Sequence, residues 1–283
     1  MKTDGFRGQV VIVTVASAGI GRALALQLAG QGAKVAIAAR RAERLEQVAA
    51  EVRALGGEAL VVPTDVSDEA LCKMLVEKTV ATFGRLDLLI NNAGLAAGAL
   101  FDEFPNLRLF RHTLDVNFYG AVYCTYYALP HLKQTKGRIV AISSMGGKAA
   151  LPYNTPYIAS KYAMHGFYDA LRMELSQHGV SVTVVCPWWV ATEFAEAQMD
   201  KNGVPRGARG RALYTKKMMT AERCAAISLH TAQKRRREVL MGPGALTVWL
   251  KTLAPGLVDW LAVKVFLEPA IRRAKAAQSE VKS

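Results

Sequence analysis

Cysteine is scarce in this chain of 283 residues: there are four, Cys72, Cys124, Cys186 and Cys224. They stand 52, 62 and 38 residues apart, so neither a disulfide framework nor a metal-ligand pair can be read from them. No metal is expected, and a reducing compartment is the simplest inference. A bilayer-spanning run is missing too. The longest uncharged stretch, residues 175–192, contains Ser, Gln, His, Gly and Pro, and the apolar run 239–250 ends after twelve residues at Lys251. The N-terminal MKTDGFRGQ is polar and leads straight into an apolar strand, unlike a secretory signal, so a cytoplasmic location is expected. Internal repeats and low-complexity tracts are lacking, and no Pro/Gly/Ser linker interrupts residues 1–186. One domain is therefore expected.

Acidic charge is short in one region only. Residues 1–200 carry 19 Lys and Arg against 18 Asp and Glu, whereas residues 201–283 carry 17 against 5, so the last 83 residues hold +12 of the net +13. A basic chain invites a nucleic-acid reading, but no stacking-aromatic or recognition-helix pattern accompanies the charge, and nucleic acid is not an expected partner. With 51% hydrophobic residues, intrinsic disorder is excluded as the main state.

What is present is alternation. Short β-branched or aliphatic runs alternate with helical patterns from residue 9 to about residue 186, the mark of βαβ units and a parallel sheet. Strands are expected at 9–15, 34–39, 58–63, 86–90, 137–143, 180–186 and 237–241. Helical spacing covers Ile20–Gln31, Ala42–Leu55 and Glu69–Phe83, with Leu45, Val48, Val52 and Leu55 in one apolar stripe. Continuously apolar strands such as VVIV and VAIA fit a sheet covered on both faces. Residues 198–220 mix Gly, Pro and cations without periodicity and read as a mobile loop, the usual place for a lid, here bounded at 193–220.

The first strand runs into Thr14-Val15-Ala16-Ser17-Ala18-Gly19-Ile20-Gly21 and then a helix. Free amides at such a helix start, with its dipole, suit a pyrophosphate, although a Gly-rich turn of this kind also serves tight packing alone. At this point the chain resembles the short-chain dehydrogenase/reductase family, whose turn reads T-G-x-x-x-G-x-G. The resemblance covers roughly residues 5–242. It implies a single-domain α/β Rossmann fold, a doubly wound, mostly seven-stranded parallel sheet with helices on both faces, and a nicotinamide dinucleotide cofactor. Residues 1–242 would then be the catalytic domain and 243–283 an apolar, basic helical extension. Ser17, Gly19, Ile20 and Gly21 would face the pyrophosphate and the helix–sheet contact. Val15 departs from the pattern by standing where the family has its first glycine: at negative φ a valine is sterically tolerable there, and at positive φ it is not.

The second strand ends Ala38-Ala39-Arg40-Arg41. An NAD site usually places a carboxylate here for the ribose hydroxyls, which Ala39 cannot supply, whereas Arg40 and Arg41, with Arg22 and Ser17 nearby, suit a 2′-phosphate. NADP is therefore expected over NAD; the alternative is that the paired arginines only open a solvated helix. By the family pattern Asp65 would accept from the adenine amino group beside Val66, and Asn92, Ala93 and Gly94 of the N-N-A-G segment would turn over the cofactor's central part.

Tyr157 and Lys161 lie at i and i+4 of a helix for which Thr155 and Pro156 read as N-cap and first helical position. Within YIASKYAMHGF the segment is similar to the family's Y-x-A-S-K, and Ser144 stands thirteen residues upstream at a strand end. The resemblance implies hydride transfer between the cofactor and an alcohol or carbonyl carbon. Tyr157 would move the proton, Lys161 would lower the phenol from its usual pKa of about 10 and bind ribose hydroxyls, and Ser144 would bond the reacting oxygen. Asn117, in LDVNFYG, matches a fourth member that positions a water toward the lysine; the alternative is a helix-kinking polar residue. Pro187, Val190 and Thr192 match the segment that meets the nicotinamide amide. There Trp188 replaces a second family glycine, and it would wall the pocket, shrink it or obstruct the ring.

Lys234-Arg235-Arg236-Arg237 end a helical pattern, and the following GALTVWLKTLAPGLVDWLAVKVFLEP is rich in Leu, Trp and Val with spaced cations. Such a run suits an interfacial helix on an anionic membrane surface, with Lys251, Lys264, Arg272, Arg273 and Lys275 at the headgroups; it equally suits a homo-oligomer interface or a lip over the substrate site. The expectation is an NADP-dependent oxidoreductase acting on a lipophilic alcohol or carbonyl compound of steroid, retinoid or lipid type, peripherally membrane-associated and oligomeric. The competing reading is a catalytically weak binding or scaffold protein of the same fold, motivated by Val15 and Trp188.

Overall fold

Strand β1 (Val10–Thr14) is buried along its whole length because both of its faces are covered. Val11 and Val13 enter one core while Val10 and Ile12 enter the other, the period-2 alternation of a strand between two helix layers. The computed structural model describes residues 5–211, 218–269 and 271–272. After β1 come α1 (Gly19–Ala29), β2 (Lys34–Ala39), α2 (Ala42–Ala54), β3 (Glu58–Pro63), α3 (Glu69–Phe83) and β4 (Leu88–Asn91). The second half holds α4 (Arg108–Leu114), α5 (Gly120–Thr135), β5 (Arg138–Ile142), α6 (Thr155–Glu174) and β6 (Ser181–Cys186). Beyond it lie β7 (Val190–Ala191), α7 (Phe194–Ala197), α8 (Ala208–Arg211), β8 (Met219–Thr220) and α9 (Ala221–Gln233). The described chain ends with β9 (Glu238–Leu240), α10 (Gly244–Leu253), α11 (Pro255–Ala262) and a π-helical turn at Val263–Leu267.

Seven of these strands form one parallel sheet in the order β3-β2-β1-β4-β5-β6-β9, the doubly wound Rossmann arrangement. Helices α1, α2 and α9 cover one face, and α3, α5 and α6 cover the other. No helix among the described residues is long and apolar enough to cross a membrane.

The expected strands and helices are present with ends shifted by a few residues. In α2, Leu45, Val48 and Val52 are buried as the stripe requires, but Leu55 is 55% exposed because the helix has ended before it; Ala49 fills the core instead. The N-cap of α6 is Asn154, not Thr155, which is already helical, and Pro156 sits within the first turn. Residues 198–206 are not an aperiodic loop. Met199 bridges Ala97 on one side and Pro205 on the other, the Met199 N–H donates to Ala96 O at 2.9 Å, and the Gly98 N–H returns a bond to Met199 O at 2.9 Å. Residues 212–217 of the lid lie outside the described residues.

The basic run Lys234–Arg237 also differs from expectation. It forms the connection between α9 and β9, where the Arg235 guanidinium donates to Gly179 O at 2.8 Å and Lys136 O at 2.6 Å. Arg237 pairs with Asp169 at 3.2 Å. This cluster ties together loops leading into β5, β6 and β9, so Arg235 and Arg237, two of the seventeen cations in residues 201–283, belong to the scaffold.

One buried carboxylate sets where β1 begins. Asp87, just before β4, accepts the Val10 N–H at 2.9 Å and is held by the Arg85 fork at 2.7–3.2 Å. Removing it leaves a strand N–H without a partner in the interior, which costs about 1–3 kcal/mol. Asp87→Ala is expected to lower unfolding free energy in urea by about 2 kcal/mol. Arg85→Ala, at a side chain 55% exposed, is expected to cost under about 1 kcal/mol.

Candidate active site

The sheet order reverses between β1 and β4, so the connections leaving those two strands diverge and leave a crevice at their C-terminal ends. The crevice is held in shape by two side chains. Thr14 Oγ1 accepts the N–H groups of Asn92 at 2.9 Å and Ala93 at 3.2 Å, while the Asn92 amide donates to Thr14 O at 3.0 Å and Val15 O at 3.3 Å. A cleft of about 480 Å³ opens there, with a smaller pocket of about 120 Å³ adjoining it.

Ser17, Gly19 and Ile20 line the cleft at the start of α1, whose N-cap Ala18 makes no side-chain cap and whose first turn carries no acid. Those first-turn amides and the helix dipole are free to meet an anion. Gly21 faces inward instead: a Cβ there would stand 2.2 Å from Val15 O and 2.6 Å from the Asn92 amide nitrogen. Val15 has φ +50°, the left-handed region that a β-branched residue enters only under strain. The missing glycine is thus replaced at the one kind of backbone position where glycine matters.

Arg40 and Arg41 are exposed and line both the cleft and the pocket, and no carboxylate follows β2. Arg22, expected beside them, is paired with Glu51 of α2 instead. Asp65 and Val66 line the smaller pocket. Asp65 Oδ1 accepts from Ser67 N–H at 3.0 Å and Ser67 Oγ at 2.7 Å. Burial raises the Asp65 carboxyl, but these bonds and the charge of Arg40 prevail and hold it below the usual range. Asn92 and Gly94 reach the cleft, whereas Ala93 is buried and turned from it.

Ser144, Tyr157 and Lys161 line the same cleft, together with Pro187, Val190 and Thr192. Ser144 caps a short 3₁₀ turn, its Oγ accepting the Gly146 N–H at 3.0 Å. Lys161 is 2% exposed, and its ammonium donates to Ile142 O at 3.0 Å while lying 5.7 Å from the Tyr157 ring centroid. Burial lowers its pKa to about 8, with the neighbouring Cys186 acting weakly the other way. Tyr157 is held above its ordinary value by burial, with the Ser144 hydroxyl pulling it down. The lowering expected from Lys161 is absent in this state, since the ammonium is turned to Ile142 O.

Asn117 does not reach the cleft. It sits in a π-helical turn, Asp115–Tyr119, that joins α4 to α5 and turns its side chain inward. Its Oδ1 accepts Leu95 N–H at 2.7 Å, and its amide donates to Leu95 O and Ser160 Oγ, each at 2.8 Å. It therefore ties the loop after β4 to the helix that carries Tyr157 and Lys161.

Trp188 walls the cleft. Its side chain lies against Gly242 and Gly244, where added Cβ atoms would come within 2.9 Å of its Cβ and 2.4 Å of its indole, so Trp188 seats the start of α10. Leu151, Ile158, Trp189, Phe194 and Met199 complete an apolar wall, with Gln198 donating to Asn154 Oδ1 at 2.7 Å as a polar pair among them. These residues were not legible beforehand, because loops far apart in sequence bring them together. His165 was also missed, although Lys161 plus four places it on the same helix face. It is buried 3.7 Å from Cys186 Sγ and 3.6 Å from Glu238 Oε1. Burial, then Lys148, lower its pKa to about 4. Lys148 already neutralises Glu238 at 2.8 Å.

Comparison with known proteins agrees with this geometry. A family model described as short chain dehydrogenase matches residues 9–203. The chain is 35% identical over 278 residues to 11-beta-hydroxysteroid dehydrogenase-like 2 of Arabidopsis thaliana, covering 95% of this chain and 86% of that one. It is 34% identical over 277 residues to an 11-beta-hydroxysteroid dehydrogenase of Pinus massoniana, covering 96% and 78%. A short chain dehydrogenase/reductase from Burkholderia phymatum in complex with NAD superposes with a TM-score of 0.80 at 28% identity, over 89% of this chain and 96% of that one. An alcohol dehydrogenase from the archaeon Thermococcus sibiricus complexed with 5-hydroxy-NADP gives 0.72 at 26% identity, over 82% and 95%. The chain belongs to the short chain dehydrogenase family and is an NAD(P)-dependent oxidoreductase.

Proposed function

We propose that the protein is an NADP-dependent oxidoreductase that interconverts a secondary alcohol and a ketone or aldehyde on a lipophilic substrate. Residues 1–242 form the proposed catalytic domain. The observation that carries the reading is one continuous cleft joining the uncapped start of α1, the Arg40–Arg41 pair and the Ser144–Tyr157–Lys161 group. The residues fit a dinucleotide: free helix amides for a pyrophosphate, two guanidinium groups for a 2′-phosphate, and the Asp65 pocket for a base.

When bound, the nicotinamide supplies or takes the hydride at the substrate carbon. Tyr157 gives its proton to the carbonyl oxygen in reduction and accepts it from the alcohol in oxidation. Ser144 donates to the same oxygen, where negative charge develops. Lys161, whose ammonium donates to Ile142 O, would stabilise the phenolate on turning toward the phenol. Trp188, Trp189, Leu151, Ile158 and Met199 exclude water from the reacting centre and favour an apolar substrate body. The relatives named for 11-beta-hydroxysteroids support a substrate of steroid-like size and polarity.

A second reading, a weakened cofactor grip on the same fold, is favoured by Val15 at φ +50°. Fluorescence titration separates the two. NADPH is expected to bind wild type in the micromolar range; Val15→Gly is expected to tighten it by removing a branched side chain from the cleft lining and, by relieving backbone strain, to raise unfolding free energy by about 1–2 kcal/mol. Absent binding in wild type, restored by glycine, selects the second reading. Arg40→Ala/Arg41→Ala is expected to weaken NADPH at least about tenfold and NADH by less than about twofold; equal losses would remove NADP selectivity from those side chains.

Tyr157→Phe is expected to lower kcat by about 10²–10⁴ with NADPH affinity retained. Lys161 carries its charge below about pH 8, so reductive kcat/KM is expected to be level below that pH and to fall above it. The stability consequence has the opposite slope. Because the folded pKa lies below the 10.5 of the free side chain, the unfolded chain holds more protons between those values, and stability gains a rising contribution through that window. Lys161→Met is expected to lose that contribution, as read by urea unfolding at several pH values.

A further inference from the structure

Helices α10 and α11 expose the residues that helices normally bury. Leu246 is 75% exposed, Trp249 69%, Leu253 82% and Trp260 56%, with Leu257 and Leu261 beside them. Leu246, Trp249 and Leu253 recur at i, i+3 and i+7 of α10, and Leu257, Trp260 and Leu261 at i, i+3 and i+4 of α11. The helices therefore present two aligned apolar faces outward. The opposite side of α10 is anchored: Gly244 under Trp188, Val248 partly buried against the core, and Lys251 donating to Tyr162 at 2.7 Å. Val258 anchors α11 in the same way. The outward faces are thus held in place without being covered by any of the described residues.

We propose that this surface docks on an anionic lipid membrane. Charge decides between lipid and a second copy of the chain. Residues 201–217 of the lid carry six cations and no carboxylate, and residues 244–283 carry six cations against three carboxylates. Among the described residues, Pro205 and Met218 of the lid line the cleft together with Trp188. Trp188 seats α10, while Trp189 accepts the Met219 N–H through its carbonyl at 3.2 Å where the lid returns to the body. Self-association through the apolar faces brings like-charged segments together, whereas an anionic lipid surface satisfies the apolar and the cationic features at once. Exposed tryptophans on the protruding faces suit the headgroup–acyl boundary, where an aromatic ring finds both an apolar and a wet side. Because Trp188 is also a cleft wall, the docked surface sets the cleft mouth beside the lipid phase from which an apolar substrate partitions; that last step rests on the proposed substrate class, and the docking does not.

The test is flotation of the full chain with phosphatidylcholine vesicles containing about one-third phosphatidylglycerol, beside phosphatidylcholine alone, at low and high salt. Sedimentation velocity without lipid runs in parallel. The expected result is flotation on the anionic vesicles, weakened by salt and by removal of the anionic lipid. Trp249→Ser/Trp260→Ser is expected to lose at least about tenfold in partitioning with NADPH affinity equal to wild type. No flotation at low salt, or flotation that the double variant leaves intact, overturns the proposal. So does a wild-type dimer that the variant converts to monomer without any lipid effect, which assigns the faces to a second copy. Vesicle binding is read without turnover, so a chain that floats but binds no NADPH separates this surface from the proposed activity.

Discussion

The site depends on one set of hydrogen bonds, those that Asn92 and Thr14 make across the ends of β4 and β1. The two strands are neighbours in the sheet, yet the chain leaves them toward opposite faces, and their terminal amides and carbonyls would otherwise be left without partners. One asparagine and one threonine satisfy them and hold the turn after β1 at a fixed distance from the segment after β4. Asn91 performs a related task one residue earlier, donating to Thr125 Oγ1 at 3.0 Å and Tyr168 Oη at 2.8 Å on the opposite layer. The rim of the crevice is thus pinned within the sheet by Asn92 and Thr14 and against α5 and α6 by Asn91.

Around that rim the chemistry works against stability. Lys161 is buried, its ammonium donating to a carbonyl and a thioether, and its lowered pKa reflects how poorly these replace water. A core methionine would sit there at lower cost. The charge is retained where a phenol needs it, on the adjacent turn of the same helix, and the position of that helix is secured by Asn117 and Ser160 rather than by Lys161 itself. Scaffold and reactive group are thereby divided between neighbouring residues of α6.

Trp188 and Val15 belong together as departures from the family's glycines. At Val15 the backbone keeps the left-handed turn and carries the strain of a branched side chain. At Trp188 the added bulk is used, since the side chain lies against two glycines and carries α10 on its outer side. In the proposed function the first change lies at the cofactor end of the cleft and the second at the substrate end, on either side of the proposed catalytic group.

Much of this was legible in sequence, and the limit falls where local periodicity stops. Alternation of apolar runs determined the seven parallel strands and their helices, because burial on both faces of a sheet demands continuous apolar strands and a 3.6-residue stripe above them. The i and i+4 spacing determined that Tyr157 and Lys161 share a helix face. Only the tertiary structure decided the φ of Val15, the capture of Arg22 by Glu51, the inward turn of Asn117, the scaffold role of Arg235 and the open faces of α10 and α11. Each of these depends on a partner distant in the chain or on the lack of one. A side chain's type and spacing state what it can bond or bury, whereas the group that answers it is chosen by the packing of elements that the sequence order does not place side by side.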